Sequence, residues 1–490
     1  MATLAALVLL GAPGVARASR RPGSTLGTND ARPNILVVMT DDQTASSLDV
    51  MPHVKALLRD HGVTFTNSFA SYPLCCPSRA TFNTGQYAHN HHVSYNDGPT
   101  GGFDAFRGRH RVIAAALRRT GYETIHIGKY LNGYGYRTPT YVPPGWSDWL
   151  GSVDPSTYRY YRFTLNENGK LHTFGAHAYQ TTVYARLAVN RIRREADRPG
   201  PFFLDLAFLA PHAVERETSG LDPADLKAAG APHSRSGIRF PVPARRDIGR
   251  FKHKRLPDQP AFDEADVGDK PPNIRIRPRF NAAEVAEIKH SYRARLETLL
   301  AVDRAVVRII HALAATHQLD NTVVVFTSDN GFFHGEHRVP DGKYLPYEPS
   351  IRVPLVVRGP GVAVDATSSA LVSNVDLPAT IIDLAGADPL RRLDGRSLVP
   401  VLADPSVGRV HDAVLVESGK NPIGAPVYHG VRTRRYLYVE YEDGFRELYD
   451  LRHDPFQLRN EARAPAQRSV ERRLARRLHR AEACAGQACP

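Results

Sequence analysis

The sequence predicts an α/β protein: a large, mostly parallel sheet sandwiched by helices, followed by a smaller C-terminal domain of antiparallel sheet plus helix. Three observations carry this. From Pro33 onward, short β-branched runs that are apolar on both faces alternate with stretches of helical periodicity, the pattern of buried parallel strands joined by crossover helices. After about Asp404 the pattern changes to short, closely spaced runs separated by turn residues, as in antiparallel sheet. The chain has 490 residues, 42% of them hydrophobic, enough for a large core and a smaller unit beside it.

The expected strands of the large sheet are "NILVVM" (34–39), "YETIHI" (122–127), "FFLDLAF" (202–208) and "TVVVFT" (322–327). Between the first two, Pro77 near the start and Gly85 beyond the end bracket a short helix over about 76–84. A long helix precedes the last strand. Asn281-Ala-Ala-Glu284 reads as its capping box, and apolar residues then recur at helical spacing through "LETLLAVDRAVVRIIHALAATH". Residues 213–279 are rich in Pro, Arg, Lys and Asp and have little periodicity. They read as a long irregular insertion over the surface, of a length that is usually functional or disordered. Past residue 404, "DAVLVES", "VYHGVRT", "RYLYVEY" and "RELYDL" read as strands and "AQRSVERRLARRLHRAEA" as a basic helix. The expected division is therefore 33–404 and 405–490.

Residues 1–18 resemble a secretory signal, with an apolar run from Leu4 to Leu10 leading to the small-x-small site Ala16-Arg17-Ala18. A secreted, periplasmic or cell-envelope location is expected. No later apolar run reaches the roughly 20 residues that span a bilayer, so no integral membrane segment is expected. Cys484 and Cys489 suit a small disulfide loop in an oxidising compartment. The formal net charge of +13 favours polyanionic partners: nucleic acid, anionic membrane, or sulfated and phosphorylated polymers.

Polar residues follow each expected strand: Thr40-Asp41-Asp42, Gly128-Lys129, Ala210-Pro211-His212 and Ser328-Asp329-Asn330-Gly331. In a parallel sheet these carboxyl ends share one edge, where open α/β proteins place their sites. Each acid alone could be a helix N-cap. Together, Asp41, Asp42, Asp329 and Asn330 are hard oxygen donors whose unpaired charges would repel one another. A divalent cation resolves this, and oxygen-only ligation indicates Ca²⁺ or Mg²⁺. Cys75 stands at the start of the short helix, where the dipole stabilises anions and thiolates, and Arg79 lies one turn on. A thiol nucleophile, a vicinal disulfide with Cys76 and a merely buried cysteine all fit that placement.

Cys75-Cys76-Pro77-Ser78-Arg79, followed by Thr84-Gly85, matches C-x-P-S-R-x4-T-G, and on it the chain resembles the formylglycine-dependent sulfatases of the alkaline phosphatase superfamily. The Asp-Asp, Gly-Lys, Pro-His and Asp-Asn-Gly pieces follow in family order, and the resemblance extends over about residues 33–460. "CCPSRATFNTGQYAHNHHV", "GKYLNGYG" and "FDEADVGDKP" are most similar to the N-acetylglucosamine-6-sulfatase and heparan 6-O-sulfatase branch.

The resemblance implies that Cys75 is oxidised by a formylglycine-generating enzyme to Cα-formylglycine. Its hydrate would be nucleophile and metal ligand, and a sulfated hemiacetal would expel sulfate without water attacking sulfur. It implies Ca²⁺ on Asp41, Asp42, Cys75, Asp329 and Asn330, with Mg²⁺ as the other candidate. Asp329 would be the base on the hydrate. Arg79 and Lys129 would steady the hydroxyl and the sulfuryl group, and Lys343 and His212 would bind sulfate oxygens and assist the leaving oxygen. Asn132 and His337 are the expected substrate contacts, with His334 second to His337. His89, His91 and His92 are candidates for the pocket wall or its support. Many family members carry a histidine where this chain has Leu131, which leaves open the group that breaks down the hemiacetal.

The expected activity is hydrolysis of O-sulfate esters on sulfated small molecules or glycans, with no nucleic acid partner. The competing readings are a phosphodiesterase or phosphonate monoester hydrolase of the same superfamily, or a non-catalytic polyanion binder in which Cys75 stays a thiol.

Overall fold

The structure, a computed structural model, describes residues 32–214, 237–421 and 424–490; the expected signal at 1–18 lies outside them. Ten strands form one mixed sheet: β1 (Asn34–Thr40), β2 (Gly62–Phe69), β3 (Glu123–Gly128), β4 (Asp148–Ser152), β5 (Thr164–Glu167), β6 (Lys170–Thr173), β7 (Phe202–Ala207), β8 (Thr322–Ser328), β9 (Leu355–Arg358) and β10 (Ala366–Ser373). Their spatial order is β10-β2-β9-β8-β1-β7-β3-β4-β5-β6. The block β8-β1-β7-β3-β4 is parallel throughout. β9 runs antiparallel to both neighbours, and β5 and β6 close the far edge as an antiparallel hairpin.

The apolar-on-both-faces pattern is what the sheet requires. Every residue of β1, β7 and β8 is buried. Leu36, Val38, Leu204, Leu206, Val324 and Phe326 face one core cluster, whereas Ile35, Val37, Phe203, Val323 and Val325 face the other, as the two-residue period of a strand dictates. Each such side chain contributes about 1.5–3 kcal/mol when fully buried. Five helices matter to the site and its surroundings: α1 (Cys75–Thr84), α2 (Gln180–Glu195), α3 (Ala282–Ala315), α4 (Asp376–Leu384) and α5 (Arg468–Ala481). α2 and α3 cover the first face, α1 and α4 the second. The capping box of α3 is formed: Asn281 Oδ1 accepts from the Ala283 and Glu284 N–H groups at 2.9 and 3.0 Å, and Glu284 Oε2 accepts from the Asn281 N–H at 2.8 Å.

A second, four-stranded antiparallel sheet is built from β11 (Val414–Glu417), β12 (Tyr428–Arg432), β13 (Tyr436–Tyr441) and β14 (Arg446–Asp450). Its apolar residues Val416, Tyr428 and Tyr449 share a cluster with Phe69, Leu74 and Tyr347, so both sheets contribute to one continuous core. The described part of the insertion, 237–279, is not the surface excursion its composition suggests. Ile238, Phe240, Val267 and Ile274 are buried, and Lys270 is buried against Glu264 at 3.1 Å. Residues 215–236 of it lie outside the described part.

Candidate active site

The parallel block sets the polar residues side by side. In the order β8-β1-β7-β3, their carboxyl ends deliver Asp329 and Asn330, Asp41 and Asp42, His212, and Lys129. Hydrogen bonds beyond the strands fix these loops: the Asp41 N–H donates to Ala210 O at 3.2 Å, Asp329 N–H to Thr40 O at 3.2 Å, and Lys129 N–H to Ala207 O at 3.0 Å. Gly128 is required just there. Its φ is +110°, and a Cβ would stand 2.0 Å from Ala207 O.

α1 brings Cys75 to the same edge. The helix starts one residue earlier than expected, so Cys75 is its first residue, and Gly85 ends it in the left-handed conformation with φ +70°. Cys76 faces the apolar cluster beneath the helix, and its N–H donates to Asn96 Oδ1 at 3.0 Å. The two cysteines are therefore not paired. Cys484 and Cys489 are joined as a disulfide.

The Cys75 Sγ lies 3.4 Å from Asp41 Oδ1, 4.0 Å from Asp42 Oδ1 and 2.8 Å from Lys343 Nζ. Arg79 donates from Nε to Asp329 Oδ2 at 2.8 Å and from Nη1 to Lys129 O at 2.9 Å, and its Nη2 lies 3.3 Å from Asp41 Oδ2. Lys129 pairs with Asp41, and Lys343 with Asp42. Three carboxylates thus face three cations in a largely buried group, and the formal charge of these six side chains is zero. Repulsion among the acids, on which the metal expectation leaned, is already relieved by protein cations.

The electrostatics follow from burial and these pairings. Burial raises the pKa of Asp41, but the cations Lys129, Arg79 and Lys343 outweigh it and hold the carboxyl well below its usual range. Asp42 is held low against the same penalty, chiefly by Lys343. Burial and the charge of Asp41 push Asp329 up to about 6. Burial drives His212 down to about 3, so it is neutral; Nδ1 donates to Ala213 O, which leaves Nε2 as an acceptor 3.7 Å from Asp42 Oδ2. Burial, aided by Asp41, pushes the Cys75 thiol up to about 12. Burial thus overrides the pull of the helix N-terminus toward a thiolate, and an unmodified Cys75 is held as a thiol, a poor nucleophile.

A cation fits these residues on one specific ground. Asn330 Oδ1 is buried and accepts no hydrogen bond, while its Nδ2 donates to Asp42 Oδ1 at 2.7 Å. Ligand atoms of Asp41, Asp42, Cys75 and His212 lie within 4.8 Å of one another. Asp329 is differently placed, since its carboxylate already accepts from Arg79 Nε and from the Asp42 and Asn330 N–H groups at 3.1 and 2.8 Å. The carboxylates that reach Sγ are Asp41 and Asp42, so the geometry gives Asp329 no contact with Cys75.

A cavity of about 910 Å³ adjoins the cluster, lined by Asn132, Tyr158 and His212 among others. Asn132 Nδ2 donates to Tyr158 Oη at 2.6 Å, and its Oδ1 has no partner. Lys129 Nζ lies 4.9 Å from the centre of the Tyr158 ring. Leu131 is buried in the apolar cluster, so nothing titratable replaces the histidine expected there.

His337 is not at this cavity, which corrects its expected role. It is 1% exposed, its Nδ1 is 2.6 Å from Glu264 Oε2, its ring lies 4.4 Å from that of Tyr347, and it borders a separate cavity of about 380 Å³ with His334. His89, His91 and His92 do not line the larger cavity either. His89 bridges Glu417 and the Cys484 carbonyl, His91 contacts Thr81 Oγ1, and His92 is exposed. Two residues of the site had no place in the sequence argument. Tyr158 sits in no motif. Arg295, buried in α3, donates to the Asp42 carbonyl and stacks on Phe332 at 3.6 Å; a charged residue in the apolar register of a helix was its signal.

The family model for the sulfatases matches residues 33–387. The chain belongs to the sulfatase family. A second model, N-sulphoglucosamine sulphohydrolase, C-terminal, matches residues 335–483. The sulfatase is 31% identical over 512 residues to an N-acetylglucosamine-6-sulfatase of Homo sapiens, covering 95% of this chain and 87% of that one. It is 32% identical over 411 residues to a putative extracellular sulfatase Sulf-1 homolog of Caenorhabditis elegans, covering 80% of this chain but only 53% of the relative's length. Among solved structures, a complex of a protein with its substrate D-glucosamine-2-N,6-O-disulfate superposes with a TM-score of 0.76 at 24% identity, over 91% of this chain and 97% of that one.

Proposed function

We propose that this sulfatase hydrolyses O-sulfate esters of sulfated sugars, converting R–O–SO₃⁻ and water into R–OH and hydrogen sulfate. The observation that carries the reading is the charge-balanced cluster around Cys75 beside a cavity large enough for a sugar. The relatives with sugar-sulfatase names direct it to a glucosamine-type substrate. Cys75 converted to formylglycine would supply a hydrate oxygen as nucleophile, and Ca²⁺ held by Asp41, Asp42, Asn330 and the modified residue would bring the cluster to a net +2 that draws in the anionic ester.

The chain's own residues do the rest. Arg79 orders Asp41 and Asp329, so both carboxylates keep one orientation as the substrate enters. Lys129, fixed between Asp41 and the face of Tyr158, presents positive charge where charge grows on the sulfuryl oxygens. Lys343, kept protonated by Asp42, carries the proton that the leaving sugar oxygen needs. Neutral His212 offers Nε2 as an acceptor for a sugar hydroxyl, and Asn132, on the cavity wall, holds the Tyr158 hydroxyl beside it. Secretion from the cell suits the extracellular naming of one relative; no described helix is long and apolar enough to cross a membrane.

The test has two parts. Mass spectrometry of the Cys75 peptide, after co-expression with a formylglycine-generating enzyme, is expected to show CH₂SH replaced by CHO; an intact thiol would remove the nucleophile. Turnover is then compared on N-acetylglucosamine 6-sulfate, an aryl sulfate and an aryl phosphate. Preference for the aryl sulfate sinks the sugar assignment, and preference for the phosphate sinks sulfate hydrolysis itself.

A further inference from the structure

The net charge of +13 is not spread evenly. In α5, Arg468, Arg472, Arg473, Arg476 and Arg480 are all exposed, and none forms an ion pair among the described residues. At 100° per residue these five fall within an arc of about 140° and extend about 18 Å along the axis. The opposite side is occupied, since Leu474, Leu478 and Ala481 are buried against Tyr87, Val431 and Tyr438. The arginines are therefore not the polar half of a membrane-lying helix, whose apolar half would have to be free. The one ring along the arginine face is His479, engaged with Glu440 Oε2 at 3.1 Å, and no Phe, Tyr or Trp stands there for a single-stranded nucleic acid to stack on. It is a row of fixed positive charge, suited to a linear polyanion.

The row leads toward the active site. After α5 the chain closes into the Cys484–Cys489 loop, whose Cys484 carbonyl accepts from His89 Nε2 and Asn90 Nδ2, both at 2.9 Å. Across that loop lies exposed Arg392, whose Nε stands 1.9 Å from where a Cβ on Gly486 would be. Its neighbour Arg391 donates to Gly108 O at 2.8 Å and Arg107 O at 3.1 Å. Arg107 is exposed and lines the 910 Å³ cavity. Contacts thus connect the helix, the disulfide loop and the cavity rim, with unpaired arginine at each stage.

We propose that this arginine track is a second binding surface that holds a sulfated polysaccharide outside the active site, so that the enzyme works on polymeric substrate. The inference rests on the sugar-sulfatase reading and adds the length of the substrate to it.

The experiment uses the full chain with Cys75→Ala, so that the probe is not consumed, and a heparin dodecasaccharide as ligand. Combining Arg472→Gln, Arg473→Gln, Arg476→Gln and Arg480→Gln keeps helix propensity and the buried face. It is expected to raise Kd by about tenfold or more at physiological salt and to flatten the dependence of log Kd on log salt. Arg392→Gln alone is expected to raise Kd several-fold. In the Cys75-containing enzyme, the quadruple variant should raise KM for the sulfated polymer while leaving kcat/KM for N-acetylglucosamine 6-sulfate, too short to reach α5, as it was.

An unchanged Kd overturns the proposal. An effect of the quadruple variant without one from Arg392→Gln overturns the track to the cavity. Binding of a single-stranded oligonucleotide of equal charge as tightly as heparin overturns the choice of polysaccharide. Loss of monosaccharide turnover in the parent enzyme would instead count against the sugar-sulfatase reading, with heparin binding unaffected.

Discussion

Replacing Arg79 by Met tests whether the buried cluster is held by charge balance. Arg79 is 2% exposed and touches two of the three carboxylates as well as the Lys129 carbonyl. The substitution leaves Asp41, Asp42 and Asp329 paired directly with only Lys129 and Lys343, a net charge of −1 on five largely buried side chains. Removing one partner of a buried pair costs about 3–5 kcal/mol. With an unfolding entropy of about 2.1 cal/mol/K per residue, that lowers Tm by roughly 3–5 °C in a chain of this size. Differential scanning calorimetry in chelator measures the loss. Repeating it in millimolar Ca²⁺ asks a sharper question. A dication on the same carboxylates stabilises the native state by mass action, and it gains more where an excess negative charge awaits it. The Ca²⁺-induced rise in Tm should therefore be larger in Arg79→Met than in the parent. Equal Tm values in chelator would refute the charge-balance argument, and an equal Ca²⁺ response would refute the placing of the cation among these carboxylates.

Cys75→Ala should abolish turnover with a Tm change of only about 1 °C, because it removes one small buried group; residual turnover in a kinetic assay would exclude Cys75 as the nucleophile's source. Asn330→Ala should weaken Ca²⁺ binding by about tenfold or more, read by isothermal titration calorimetry, and unchanged affinity would take Asn330 out of the metal site. Burial pulls the pKa of His89 down, but Glu417 and the Cys484 carbonyl push it up to about 9. The folded pKa lies above the unfolded value of about 6.5, so this contact stabilises fully below pH 6.5 and is lost as pH rises through 9. Melts in the parent should show a decline over that window that His89→Gln removes. Replacing Cys484 and Cys489 by Ser should cost about 2 kcal/mol for so short a loop, read by urea unfolding, and no change would show that the loop holds without its bond.

The shared edge of the site was legible because parallel strands need nothing more than their own apolar runs to be found, and each run ended on a polar residue. The sheet's order was not legible. β2, β9 and β10 are short or only half-apolar, and β9 enters antiparallel between β2 and β8. His337 shows where reasoning from sequence distance fails. Between Asn330 and Lys343 the chain makes an excursion and returns: the Phe333 N–H donates to Gly342 O at 2.7 Å and Gly335 N–H to Val339 O at 2.9 Å. The return brings Lys343 back to Asp42, while the tip docks on the insertion, with the His337 N–H donating to Ala261 O at 2.8 Å. His334 and His337, five and eight positions from Asp329, are thus carried away from the site, and Lys343, fourteen positions off, belongs to it.

The same comparison changes the reason for expecting a metal. The acids at the ends of β1 and β8 could be read directly, and their repulsion seemed to demand a cation. Arg79 from α1, Lys129 from the end of β3 and Lys343 from the returning loop come from three separate stretches and match those three acids in number. A cluster neutral by itself needs no metal in order to fold. What it lacks is a partner for Asn330 Oδ1, a carbonyl oxygen buried at the end of β8 with no donor in reach. Such an atom costs about 1–3 kcal/mol if left unsatisfied, a debt that a hard cation between Asn330 and Asp42 would cancel. On the proposed function a metal would then serve the chemistry and one oxygen atom, so chelation should silence the enzyme while leaving it folded, and cooperative unfolding on removal of Ca²⁺ would contradict this.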